Sequence, residues 1–153
     1  MRFRYVAASL ALAIATAPHA LRAQAAGAMP NASSDRQQVE GVVASIGYAQ
    51  AIRVGNTIHV SGAVAPGATM EEQVKGIYER LAFTLGRFGA TLKDVVKETA
   101  FATDMEALKA ANPARRAAYG SHTPAATWVQ ISRLYMPSAL VEIEVTAVVG
   151  SAR

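Results

Sequence analysis

The 153-residue sequence has no cysteine, so neither a disulfide nor a thiolate can serve as staple, metal ligand or nucleophile. Stability has to come from a packed core. Aromatic residues make up 7% of the chain, with a single tryptophan, and charged residues 17%. There is no basic tract interleaved with aromatics, so nucleic-acid binding has no electrostatic support. The three histidines show no ligand spacing, which argues against a zinc or iron site, and no other cofactor is indicated. Ser61 and Thr127 have no visible histidine and acid partners for a nucleophilic triad. The glycines near 62, 67 and 89 read as turns and helix ends rather than as a phosphate cradle.

The amino terminus carries what the remainder lacks. Arg2 and Arg4 precede an apolar run, Val6 to Ala17, that is too short to span a bilayer. Ala23-Gln24-Ala25 follows with the small-x-small pattern of a cleavage site, so residues 1–25 are expected to be a signal peptide. That predicts a periplasmic or secreted protein with no membrane attachment after cleavage. Removing Arg2, Arg4 and Arg22 leaves 12 basic against 11 acidic residues, so the basic balance of the whole chain belongs mostly to this segment. Residues 26–38 are small and polar and are expected to be a disordered lead-in. The sequon at Asn31 reads as chance. A single domain is expected over 39–150.

Within that domain, Val39 to Ser45 suggests a short strand. Gln50–Val54 and Thr57–Ala65 flank Gly55-Asn56, a pair suited to closing a hairpin. Thr69 and Glu72 form a capping-box pair ahead of a helix whose apolar stripe is Val74, Ile77, Leu81, Leu85 and Phe88. A strand is expected over Val95–Thr103. A second helical stretch, from about Asp104 to Tyr119, contains Pro113, which is expected to break or restart it and so place Asn112 near an N-cap. The last stretch alternates strongly: Val141, Ile143, Val145 and Ala147 against Glu142, Glu144, Thr146 and Val148. Upstream, Ala126, Trp128 and Gln130 share one face of a strand.

Two helices cover one face of a five- or six-stranded mixed sheet, giving an α+β fold whose other face needs a partner. Thr57, His59, Ser61, Trp128, Gln130, Glu142 and Glu144 are expected on semi-polar strand faces. A ring-shaped oligomer with sites at its subunit boundaries follows, and a ligand is expected near Ala126, Trp128 and Glu142.

The order and spacing of several short motifs then resemble one family. These are Tyr48-Ala49-Gln50-Ala51, Val54-Gly55-Asn56, Val60-Ser61-Gly62, Glu72-Gln73, Leu92-Lys93-Asp94-Val95-Val96-Lys97, Asn112, Pro124-Ala125, Arg133-Leu134 and Val141-Glu142-Ile143-Glu144. Together they are similar to the reactive intermediate deaminase (Rid) family, earlier described as perchloric-acid-soluble liver proteins. The resemblance implies a homotrimer of chorismate-mutase-like subunits with small-molecule clefts between neighbours. It implies that Glu142 is catalytic, directing water at an imine carbon, and that Tyr48, Ser61, Gly62, Asn112, Ala126, Thr127 and Trp128 line the ligand site. In active Rid proteins an arginine follows the Pro-Ala pair and clamps the substrate carboxylate. Ala126 stands there in this chain. The family's usual 2-imino acids should therefore fit poorly, and a non-catalytic metabolite-binding trimer is the alternative.

Two neighbours carry two readings each. Trp128 either fills the volume left at Ala126 and stacks on a ligand or is a core residue. His122 either replaces the lost cation or is a solvated loop residue. Arg115 and Arg116 read as surface residues, and Arg133 as a subunit contact.

Overall fold

A computed structural model describes residues 47–151 in full and the backbone of 37–39. The expected signal peptide and most of the lead-in lie outside the described residues. Six strands and two helices follow in the order β1 (Gln37–Val39), β2 (Ala51–Val54), β3 (Thr57–Ala63), α1 (Met70–Gly86), β4 (Val95–Ala102), α2 (Met105–Tyr119), β5 (Ala125–Gln130) and β6 (Val141–Val148). Gln37 and Gln38, assigned above to the lead-in, belong to β1 and pair with Arg53 and Ile52. An edge strand needs backbone partners on one side only, so glutamines are tolerated there.

Across the sheet the strands run β1-β2-β3-β6-β4-β5. All neighbours are antiparallel except β4 and β5, which are parallel across the α2 crossover. Strand β6 inserts between β3 and β4, so the chain's last strand lies at the centre of the sheet. Its alternation shows why: Val141, Ile143, Val145 and Ala147 are buried against the helices, whereas Glu142 and Glu144 face away.

Local signals account for most boundaries. Gly55, at φ +58, closes the β2–β3 hairpin. Thr69 Oγ1 accepts from the Glu72 amide, and Glu72 Oε2 accepts from the amides of Thr69 and Ala68. The expected stripe of α1 is wholly buried. Helix α2 departs from expectation: it runs unbroken through Pro113, and its N-cap is Asp104, whose Oδ1 accepts from the Ala107 amide. Proline removes one bond, to the carbonyl of Lys109, on the exposed side of the helix. Burial of Leu108, Ala111 and Tyr119 on the other side keeps the helix continuous.

Gln73, read in the sequence only as part of a family motif, is 1% exposed and ties α1 to the loop before β6. Its Nε2 donates to the carbonyls of Gly67 and Ser138, and its Oε1 accepts from the Leu140 amide.

Candidate functional site

The register of the sheet sorts the expected site residues into two groups. Glu98, Ala100 and Ala102 of β4 are buried beneath the helices, and they pair with Ala126, Trp128 and Gln130 of β5. Those three residues therefore face the helices, and Gln130 Oε1 accepts from the Met105 amide at the start of α2. On β6, Glu142 and Glu144 pair with Phe101 and Thr99 and face the open side. Trp128 and Gln130 thus do not share a face with Glu142 within one subunit. Strand alternation states which neighbours in a strand agree but not which face of one strand matches which face of another.

The open-face group is built on a bulge. Val60 and Ala63 pair with Val145 and Ile143, so β3 holds one more residue than β6 over this interval. The bulged residues are Ser61 and Gly62. A Cβ on Gly62 would fall 1.8 Å from Glu142 Oε1 and 2.8 Å from its Cγ, so the carboxylate lies directly against the glycine backbone. Ser61 Oγ donates to the Ala49 carbonyl at 2.7 Å and its amide to Gln50 O at 3.0 Å. These bonds hold the segment carrying the half-exposed Tyr48 alongside the bulge. Burial, and then the charge of Glu144, push the Glu142 carboxyl above the ordinary carboxylate range. Glu142 is accordingly a stronger base than a free carboxylate. Thr127 is also on this face, accepting from Lys97 Nζ. Beside these residues, His59, Ser61, Lys97, Thr99, Glu144 and Thr146 line a depression of about 260 Å³.

The helix-face group holds Asn112, Ala126 and Trp128. Ala126 is exposed at the edge strand, and Trp128 is half-buried against the core. Four residues that were not proposed as site residues form the polar centre of this side. Glu98 is 0% exposed; its Oε2 accepts from the hydroxyls of Tyr78 at 2.8 Å and Tyr119 at 2.7 Å, and its Oε1 from Arg115 Nε at 2.8 Å. Arg115 is therefore not a surface residue, since only 16% of its side chain is exposed. Its guanidinium lies 5.1 Å from the Tyr119 ring centroid and 5.7 Å from that of Trp128. Burial, and then the Glu98 charge, push both tyrosine hydroxyls well above their ordinary value, which keeps them neutral donors. A small cavity of about 10 Å³ lies among Glu98, Asn112, Arg115 and Trp128. Asn112 Oδ1 and Trp128 Nε1 are buried without a hydrogen-bond partner. The only sequence signal for this cluster was a glutamate in an otherwise apolar strand face.

His122 Nε2 donates to the Val95 carbonyl at 2.6 Å and its ring meets Tyr119, so it is not a freely solvated loop residue. Arg133 is exposed. Among the described residues, no group of three or more His, Asp or Glu is placed to hold a metal, and no helix is long and apolar enough to cross a membrane.

Comparison with known proteins agrees with this architecture. The family model described as Endoribonuclease L-PSP matches residues 40–149. A RutC family protein of Pyrococcus abyssi is 33% identical over 108 residues, covering 65% of this chain and 84% of the relative. The 2-iminobutanoate/2-iminopropanoate deaminase of Mus musculus is 33% identical over 117 residues, covering 70% of this chain and 85% of that enzyme. A solved structure from Mycobacterium tuberculosis, a member of the YjgF/YER057c/UK114 family, superimposes with a TM-score of 0.71 at 31% identity, covering 74% of this chain and 99% of that one. With the family model matched over residues 40–149, the chain belongs to the Endoribonuclease L-PSP family, the Rid family to which its sequence motifs pointed.

Proposed function

We propose that this chain is an exported Rid-family protein that acts as a homotrimer, with small-molecule sites in clefts between subunits, and that it hydrolyses an imine- or enamine-like compound. The observation that carries this reading is the separation of the two residue groups. Glu142, with Gly62 and Ser61 of the bulge, lies on the open face of the sheet, while Asn112, Ala126 and Trp128 lie on the helix side. One subunit cannot bring them to a single ligand, but a second copy packed on the open face can. The uncovered polar face of a sheet buried on its other side supports such packing.

In that cleft, Glu142 takes a proton from water as the oxygen attacks the imine carbon. Glu142 returns that proton to the nitrogen, and collapse of the adduct breaks the C–N bond, expels ammonia and leaves the carbonyl compound. Ser61 and Gly62 set the position of the base, and Asn112 and Trp128 of the partner subunit hold the ligand. Ala126 lacks the bidentate fork that binds carboxylates, so 2-imino acids bind poorly. The same alanine supports a second reading, a trimer that binds a metabolite without turning it over. RNA cleavage has less support: the open face sets Lys97 among Glu142 and Glu144 and provides no track of cations for a phosphate backbone.

The test generates 2-iminopropanoate in situ and follows ammonia and keto-acid release, alongside uncharged imines. Uncharged imines should be hydrolysed faster, and Glu142→Gln should abolish turnover. If no imine is turned over, the binding reading replaces the enzymatic one. Mixing subunits of Glu142→Gln with subunits of Asn112→Ala should restore part of the activity that each lacks alone, because some clefts then join two intact halves. A monomer mass by light scattering at micromolar concentration would remove the trimer.

A further inference from the structure

The Glu98–Arg115 pair lies beside the position where the family arginine is missing. Glu98 is the register partner of Ala126, and Arg115 reaches from α2 to Glu98 Oε1 through Nε alone. Among the described residues, its two terminal Nη groups have no hydrogen-bond partner. The cavity beside them is lined by Asn112 and Trp128, whose Oδ1 and Nε1 are buried and unpartnered. Buried polar atoms left unmet are costly, so these two, Asn112 Oδ1 and Trp128 Nε1, around one cavity point to a missing partner.

From this geometry we infer that Arg115 supplies the donor edge that Ala126 lacks, and that Glu98 makes the site selective for uncharged carbonyl or imine compounds over carboxylates. Charge and size set this selectivity, which rests on the ligand reading proposed above. Arg115 and Glu98 cancel, so a carboxylate would leave a net negative charge in a largely desolvated place, where an unpaired charge is strongly disfavoured. A neutral C=O or C=N group adds no charge. Its acceptor atom can take hydrogen bonds from the Arg115 Nη groups and Trp128 Nε1, while an adjacent N–H donates to Asn112 Oδ1. The cavity of about 10 Å³ has room for about one water-sized group. The acceptor atom of the ligand enters it, the adjacent N–H meets Asn112 Oδ1 at its mouth, and the remainder occupies the exposed margin at Ala126. Trp128 meets the guanidinium on one face, so it acts here as a donor rather than as a stacking floor.

The paired probes are benzamide and benzoate, equal in shape and different in charge. Binding to the full chain is followed by calorimetry and by the fluorescence of Trp128, the single tryptophan. Wild type should bind benzamide at least tenfold more tightly than benzoate. Glu98→Gln, which leaves the Arg115 charge uncompensated, should reverse that order. Arg115→Lys should weaken benzamide binding while retaining the charge. Equal or tighter binding of benzoate by wild type overturns the inference, as does failure to bind either probe or an unchanged ratio in folded Glu98→Gln. The wild-type ratio decides the matter if Glu98→Gln does not fold. Absence of ammonia release with the benzamide preference intact would sink the catalytic reading and leave this one standing.

Discussion

Gly62 lies directly beneath Glu142: a methyl group on the glycine would coincide with the carboxylate, 1.8 Å from Oε1. The colliding atoms belong to the Glu142 side chain from Cγ outward and none to backbone, so Gly62→Ala should displace the carboxylate rather than disrupt the sheet. Denaturant unfolding should change by no more than about 1 kcal/mol, while imine hydrolysis should fall at least as far as a misplaced base requires, about tenfold or more. A large stability loss with activity per folded molecule unchanged would show that the contact serves packing alone.

The protonation of Glu142 gives a second test. Burial and the Glu144 charge raise its pKa, so the acid limb of a pH–rate profile should lie above the ordinary carboxylate range. Glu144→Gln removes one of the two causes and should move that limb to lower pH. The stability sign is the reverse of that for a paired carboxylate. A folded pKa above the unfolded value makes Glu142 a destabilising term that is absent at pH below the unfolded value and grows as pH rises through the folded one. Glu142→Gln should therefore gain stability relative to wild type as pH rises through that window, as measured by urea midpoints.

Glu98 is the most consequential buried charge among the described residues. Glu98→Leu removes the acceptor of two tyrosine hydroxyls and leaves Arg115 largely buried without its partner. The loss should be about 3–5 kcal/mol, the cost typical of breaking a buried pair from one side. A Glu98→Leu, Arg115→Leu double variant should recover part of that loss, and a double-mutant cycle would measure the coupling.

Gln73→Ala should cost about 2–4 kcal/mol, because a side chain 1% exposed loses its packing and three backbone groups lose their partner. Amide exchange should accelerate at Leu140, whose N–H would have lost its acceptor. Unchanged protection there would show that the loop before β6 is held by other contacts.

Legibility followed the range of the interaction. The Thr69–Glu72 box, the Gly55 turn and the α1 stripe were readable because each depends on residues a few positions apart. Pro113 misled because the sequence shows the lost hydrogen bond but not the burial of Leu108, Ala111 and Tyr119 that outweighs it. Arg115 read as surface because its acceptor, Glu98, lies 17 residues away on another element. The Gln73–Leu140 bond spans 67 positions and left no local pattern to read.

Chain order and alternation by themselves determined the strands and helices, the burial of every second residue of β6 and membership in the family, since these depend on local spacing. Pairing decided the rest. Only the register of β4 against both β5 and β6 put Trp128 on the helix face and Glu142 on the open one, and only packing of α2 on β4 brought Arg115 to Glu98. A face of one strand has no meaning relative to another until the hydrogen bonds between them are made, and that assignment separates the two halves of the proposed site.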